Sequence, residues 1–231
     1  MNTHFGIVAI FLAVGAVVGA LSIESAGAAS HTVVELFQSQ GCSDCPPANA
    51  NVMALSDRPD LITLSFGVTY WDQLGWKDTF ASPQYTARQW DYARAFHRSE
   101  VFTPEVVVNG RADVVGSNRA ELEALIGREA NAGGPGIRID GDVVSVGGGT
   151  GKADVLLVRY DPNVVQVPIA RGENGGRTLP HKNVVKELVT LGEWSGQPAT
   201  FRLTQPPNVA WRDAILVQAG PGGAILAATS D

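Results

Sequence analysis

The stretch "LFQSQGCSDCPPANANV", Leu36–Val52, holds both cysteines of the chain, two residues apart and directly before Pro46 and Pro47. What flanks it decides the fold. On one side, "VVELF" from Val33 is a short β-rich run. On the other, Pro46 to Leu55 has helical composition with a proline suited to a first turn, and "LITLSFGV" from Leu61 is a near-continuous apolar strand. Strand, helix and strand in that order make a βαβ unit, a parallel pair joined by a right-handed crossover. Cys42 and Cys45 then stand at the start of the crossover helix.

Further along, Ser82 and Pro83 form an N-cap and N1 pair opening a helix to about His97, with Tyr85, Tyr92 and Phe96 on its apolar side. "EVVV", Asn109-Gly110 and "RADVV" read as a hairpin on a type I′ turn. Asn118, with Glu121 three residues on, caps a last helix carrying Leu122, Leu125 and Ile126. This βαβαββα order, with Cys-x-x-Cys opening the first helix and Thr103-Pro104 opening the third strand, resembles the thioredoxin fold over roughly a hundred residues. The stretches "VVELFQSQGCSDCPPA", "YWDQLGWKDTFASP", "VFTPEVVVNGR" and "RGENGGRTLPHKNVV" also resemble a family of exported bacterial proteins, domain of unknown function 1223. That second resemblance spans nearly the whole mature chain and implies a fold and an export route, without an activity.

After the glycine-rich "NAGGPG" (Asn131–Gly136) the character changes. "IRID-GD-VVSV" is a hairpin around Asp140-Gly141, and β-rich runs follow at Val155–Tyr160, Val164–Ile169, Val184–Leu191, Thr200–Leu203, Ala214–Ala219 and Ala224–Ala228. The expected organisation is a thioredoxin-like α/β domain over 31–132 and an all-β sandwich-like domain over 137–231, with the boundary near Gly134.

At 231 residues, 45% hydrophobic and 17% charged, the chain can build substantial cores. A net charge of −6 with singly scattered Lys and Arg speaks against a nucleic-acid partner. Residues 1–28 read as a signal segment: "FGIVAIFLAVGAVVGALSI" is uncharged, and "SAGAAS" offers small residues for cleavage. The same run is nearly long enough to span a bilayer, so a membrane enters only if the segment stays uncleaved. Either way the cysteines are expected outside the cytoplasm, in the periplasm or beyond, where disulfides persist.

Disulfide exchange needs one cysteine that ionises easily and a second that resolves the mixed disulfide. Cys42, at the helix N-terminus with solvent access, is the expected attacking sulfur; Cys45, one turn in, is the resolving one. Asp44 between them works against the Cys42 thiolate. The thioredoxin resemblance implies that the Thr103-Pro104 bond is cis and presents the Thr103 backbone to an extended substrate. It also implies that Glu35, on the same strand face as Val33 and Phe37, exchanges a proton with Cys45. A salt-bridged Glu35 at a strand edge is the alternative. Tyr70, Trp71, Trp76 and Phe80 either line a substrate groove or form a lid packed on the β-rich half. "ARGENGGRTLPHKN" (Ala170–Asn183) is either a solvated loop or a segment that meets the cysteine site.

Three functions fit these residues. The first is an exported thiol-disulfide oxidoreductase acting on protein or peptide thiols and disulfides, with Cys42, Cys45, Pro104 and Glu35 catalytic and Thr103, Tyr70, Trp71 and Trp76 binding substrate. It calls for no cofactor and allows a redox partner protein. The second is a non-catalytic binding module with a static disulfide. The third is a copper or zinc carrier using the cysteines with His181 or His97, for which two cysteines alone leave zinc two ligands short.

Overall fold

The computed structural model of the protein describes Met1, residues 30–130 and residues 133–231. The expected signal segment therefore lies outside the described residues apart from Met1, as do two residues of the glycine-rich hinge. Among the described residues no helix is long and apolar enough to cross a membrane.

In the first half, β1 (Thr32–Gln38), α1 (Cys45–Leu55), β2 (Leu61–Gly67), α2 (Pro83–Ala95), β3 (Glu105–Val108), β4 (Ala112–Val114) and α3 (Arg119–Arg128) follow one another. β1 and β2 are parallel, in register from Thr32 opposite Leu61 to Gln38 opposite Gly67. β3 runs antiparallel to β1, and β4 to β3. Local chemistry accounts for the boundaries. The Ser82 hydroxyl accepts from Gln84 N–H ahead of Pro83, and Asn118 Oδ1 accepts from the N–H groups of Ala120 and Glu121. Between β3 and β4, Asn109 and Gly110 both have positive φ, 48° and 62°, which a type I′ turn requires.

The second half contributes β5 (Ile137–Asp140), β6 (Val143–Val146), β7 (Ala153–Asp161), β8 (Val165–Pro168), β9 (Thr178–His181), β10 (Val184–Trp194), β11 (Ala199–Arg202), β12 (Arg212–Gln218) and β13 (Ile225–Ser230). Here the expected division near Gly134 fails. A single eight-stranded sheet runs β13-β12-β7-β10-β2-β1-β3-β4 through both halves. The join is β10 lying parallel to β2, with Val184 opposite Ser65 and Ser65 N–H donating to Asn183 C=O at 2.9 Å. The reason is local: β2 is buried along its whole length, so its outer edge needs a strand as well as its faces a cover.

Packing follows the same continuity. α2 covers one face across the join, with Tyr85 and Tyr92 packed in one core with Phe37, Leu64 and Phe66 of the first half and Val158 and Leu216 of the second. α1 and α3 cover the opposite face of the first half through Ala48, Val52, Leu55, Leu122 and Leu125 against Val34, Leu36 and Val106. The small sheet β11-β6-β5 lies on the second half, its Val144 and Val146 packed with Val155, Leu157, Ile215, Val217 and Trp194. Two layers do face each other there, but the larger belongs to the common sheet. β8 and β9 form a separate two-stranded hairpin, and β9 lies inside the segment read as a loop.

Buried polar groups clip the halves together. Glu35 on β1 takes both Nε (2.7 Å) and Nη2 (3.1 Å) of Arg88, whose Nη1 donates to Gln218 Oε1 on β12 at 2.9 Å. Tyr92 OH donates to Glu35 and receives from both Arg88 and Gln218. Gly110 sits where a Cβ would lie 2.3 Å from Gly223 O, so the β3–β4 turn can touch the β12–β13 turn only as glycine.

Candidate functional site around Cys42 and Cys45

β1 ends at Gln38, and the chain turns through Ser39–Asp44 before α1 begins at Cys45 with Pro46 and Pro47 in its first turn. Cys42 and Cys45 are joined as a disulfide. Cys45 N–H donates to Cys42 C=O at 3.3 Å, and Asp44 occupies the N-cap position, exposed and without a side-chain cap bond. The Thr103–Pro104 bond is cis, and Cys42 Sγ lies 3.8 Å from Thr103 O. Cys42, Cys45, Thr103 and Pro104 are thus brought together.

Glu35 is not. It faces α2 with Val33 and Phe37, whereas α1 packs on the other face, against Val34 and Leu36. Its carboxylate is spoken for by Arg88 and Tyr92, so the expected proton exchange with Cys45 has no path. The side chain that β1 does turn toward Cys45 is Gln38, which lines a small cavity with Cys45, Asn49 and His181.

The aromatic segment divides. Tyr70 and Trp71 pack against the α2-side core, and Tyr70 OH donates to Gln89 Oε1 at 3.2 Å; burial pushes the Tyr70 phenol up to about 12. Gln89 in turn donates to Phe102 C=O and to Glu105 beside Pro104, both at 2.7 Å. Trp76 and Phe80 instead pack on the β8–β9 hairpin with Val167, Ile169 and Leu179. Trp76 Nε1 donates to Gln40 Oε1 at 2.9 Å.

Of the two readings of Ala170–Asn183, the structure bears out the segment that meets the cysteine site. The link between β8 and β9 crosses over it as a strap. Buried Asn174 donates from Nδ2 to Gln40 C=O at 3.0 Å and to Cys42 C=O at 2.8 Å, and Glu173 accepts from Ser43 N–H at 3.1 Å. From below, Asp78 accepts from Gln40 N–H at 2.7 Å; burial raises its carboxyl to about 6. Cys42 is 1% exposed and Cys45 2%, so the expected solvent access of Cys42 is absent. The signal that pointed to the strap is the polar run "RGENGG", too long for a tight hairpin and rich in groups that bond backbone; that it forms part of a β8–β9 hairpin was not legible. Among the described residues no three His, Cys, Asp or Glu side chains converge as metal ligands; His181 lines the cavity beside Cys45, while His97 is exposed at the end of α2.

Chemically the arrangement offers a disulfide beside the backbone carbonyl of Thr103, half-buried aromatics on one flank, and a polar strap bonded to the backbone around Cys42. No curated protein matches this chain. A crystal structure of an Agrobacterium tumefaciens protein from a structural genomics consortium is similar, with 33% identity and a TM-score of 0.72, covering 89% of this chain and 95% of that one. HBP35 of Porphyromonas gingivalis is similar in fold alone, at 12% identity and a TM-score of 0.56, covering 88% of this chain and 75% of that one. The model of the family described as protein of unknown function (DUF1223) matches residues 33–218, and the chain belongs to that family.

Proposed function

We propose that the protein is an exported thiol-disulfide oxidoreductase built on a thioredoxin-like core, using Cys42 and Cys45 on peptide or protein disulfides. The observation that carries the reading is the Cys42–Cys45 disulfide at the start of α1 with Cys42 Sγ 3.8 Å from the carbonyl of Thr103, at the cis bond to Pro104. A substrate strand pairing with the Thr103 backbone would bring its own sulfur beside Cys42. The order β2-β1-β3-β4, with β3 antiparallel, supports the fold assignment, and the apolar N-terminal segment supports export.

A second reading, a binding module with a static disulfide, is favoured by one specific observation: both cysteines are buried under a hydrogen-bonded strap. The reduction potential of the pair, measured by equilibration in glutathione buffers, separates the two. Exchange-active pairs lie at roughly −120 to −270 mV, and structural disulfides below about −300 mV. A value in the first range is expected; one in the second would replace the oxidoreductase by the static module.

A further inference from the structure

With Glu35 on the wrong face, the ionisable group that shares a cavity with Cys45 is a histidine from the other half of the chain. His181 ends β9, is buried, and lines the cavity of about 50 Å³ together with Cys45, Gln38 and Asn49. Its surroundings are fixed by a chain of bonds. Pro180 C=O can only accept, so Asn49 turns Nδ2 toward it at 2.7 Å and offers Oδ1 to Gln38 Nε2 at 3.1 Å. Gln38 gives its other amino hydrogen to Ser65 Oγ at 2.6 Å. Both hydrogens are then committed, and the 3.5 Å approach of Gln38 Nε2 to His181 Nδ1 brings the ring no proton. His181 Nε2 has no hydrogen-bond partner among the described residues. A buried imidazole with an unclaimed lone pair therefore lines the same cavity as Cys45, whose sulfur must lose a proton, and that cavity has room for one water.

We propose that His181 is the proton acceptor for Cys45 when the mixed disulfide is resolved. This deepens the oxidoreductase reading and rests on it. A substrate disulfide attacked by Cys42 leaves one substrate sulfur bonded to Cys42 and releases the other as a thiol. The Cys45 thiol then passes its proton to the imidazole, and its sulfur attacks Cys42 Sγ. The Cys42–Cys45 bond forms, the bond to substrate breaks, and the departing thiolate takes a proton back from the imidazolium. Two cysteines are oxidised and one substrate disulfide is reduced to two thiols, with no further reagent.

Burial lowers His181 to about 4, so in the disulfide form the ring is neutral and holds a proton only weakly. Other charges near it are few. α1 carries no ionisable side chain besides Cys45, and neither does β8. On the Phe80 side the ring edge meets His181 with centroids 5.5 Å apart, Lys186 Nζ lies 4.5 Å from the Phe80 centroid, and Asp78 is two residues away. Lys182, next in sequence, is paired with Asp57 at 2.7 Å, and Glu173 and Arg177 lie on the strap. A Cys45 thiolate would be the new charge that appears on reduction, and it would draw the proton onto His181.

The test is the ¹⁵N imidazole titration of His181 in the intact protein as disulfide and as dithiol. The expected result is a midpoint at least roughly one pH unit higher in the dithiol, a tenfold gain in proton affinity; the same midpoint in both states would overturn the proposal. A second measurement follows Cys45 thiolate absorbance in Cys42→Ser with and without His181→Gln. Cys45 should ionise at higher pH without the histidine, and an unchanged midpoint would count against its role. Because a strong reductant gives the dithiol whatever its potential, the coupling can be read even if glutathione equilibration shows a static disulfide; that outcome would sink the activity and leave the proton pairing. If His181→Gln does not fold, the wild-type titration decides alone.

Discussion

Glu105 follows Pro104 directly and is buried where Gln89 donates to it at 2.7 Å and Arg98 Nη1 approaches to 3.4 Å. Burial nonetheless dominates and raises its carboxyl to about 7, above the ordinary 4.5. The folded state therefore holds this proton more tightly than the unfolded chain does, and stability falls as pH rises from about 4.5 through 7. His181 runs the other way, losing stability as pH falls from 6.5 toward 4. In the difference between wild type and Glu105→Gln such other titrations cancel. The variant should gain about 2–3 kcal/mol relative to wild type between pH 5 and pH 8 in urea unfolding, while Arg98 keeps Asp113 at 2.5 Å. A pH-independent difference would mean that Glu105 is ionised throughout. Glu35 poses the opposite case, a charge satisfied on all sides. Removing its partner in Arg88→Met should cost about 3–5 kcal/mol, most of it regained in Glu35→Leu/Arg88→Met; equal loss in both would show that packing, not the stranded carboxylate, sets the cost. Grouping Glu35 with Val33 and Phe37 was legible from strand alternation alone. Which helix covers that face was not, because period-two patterning sorts side chains into two faces without naming what lies on either.

At the scale of elements, the strap between β8 and β9 is tied down by a few polar bonds rather than by apolar burial, since Arg171–Glu173 and Gly175–Arg177 are exposed and Asn174 is the buried anchor. Segments held in this way open locally at a free energy well below that of global unfolding. Asn174→Ala removes the bonds to Gln40 and Cys42, and each net hydrogen bond contributes about 1 kcal/mol. Reduction of the disulfide by a phosphine should accordingly accelerate about thirtyfold. An unaltered rate would show that reductant reaches the sulfurs by another route. The helices were readable because their ends carry their own signals, Ser82-Pro83 and Asn118 with Glu121. β9 was not, because "TLPH" has no β-branched run and holds a proline, which an edge hairpin tolerates and a central strand does not.

The whole molecule follows from one pairing that no local pattern specifies, β10 against β2. Near-continuous apolar character in "LITLSFG" says that both faces of β2 are covered, but a hydrogen-bonded edge leaves no mark on side-chain composition. The glycine-rich hinge reads as a domain boundary on composition, yet the chain beyond it returns to the same sheet. A separate sandwich would have melted by itself; a shared sheet, a shared α2 core and the Glu35–Arg88–Gln218 clip predict otherwise. Far-UV circular dichroism reports the strands, while tryptophan emission reports Trp194 under the small sheet and Trp71 and Trp76 near the disulfide. Their urea transitions should coincide. A chain ending at Gly133 should fail to fold alone, because it exposes the β2 edge at Thr63 and Ser65 and removes Val158, Leu216 and their neighbours from the core that holds Tyr85 and Tyr92. Two separated transitions, or a folded chain of residues 30–133, would show that the halves are independent and that the β2–β10 join contributes little to stability.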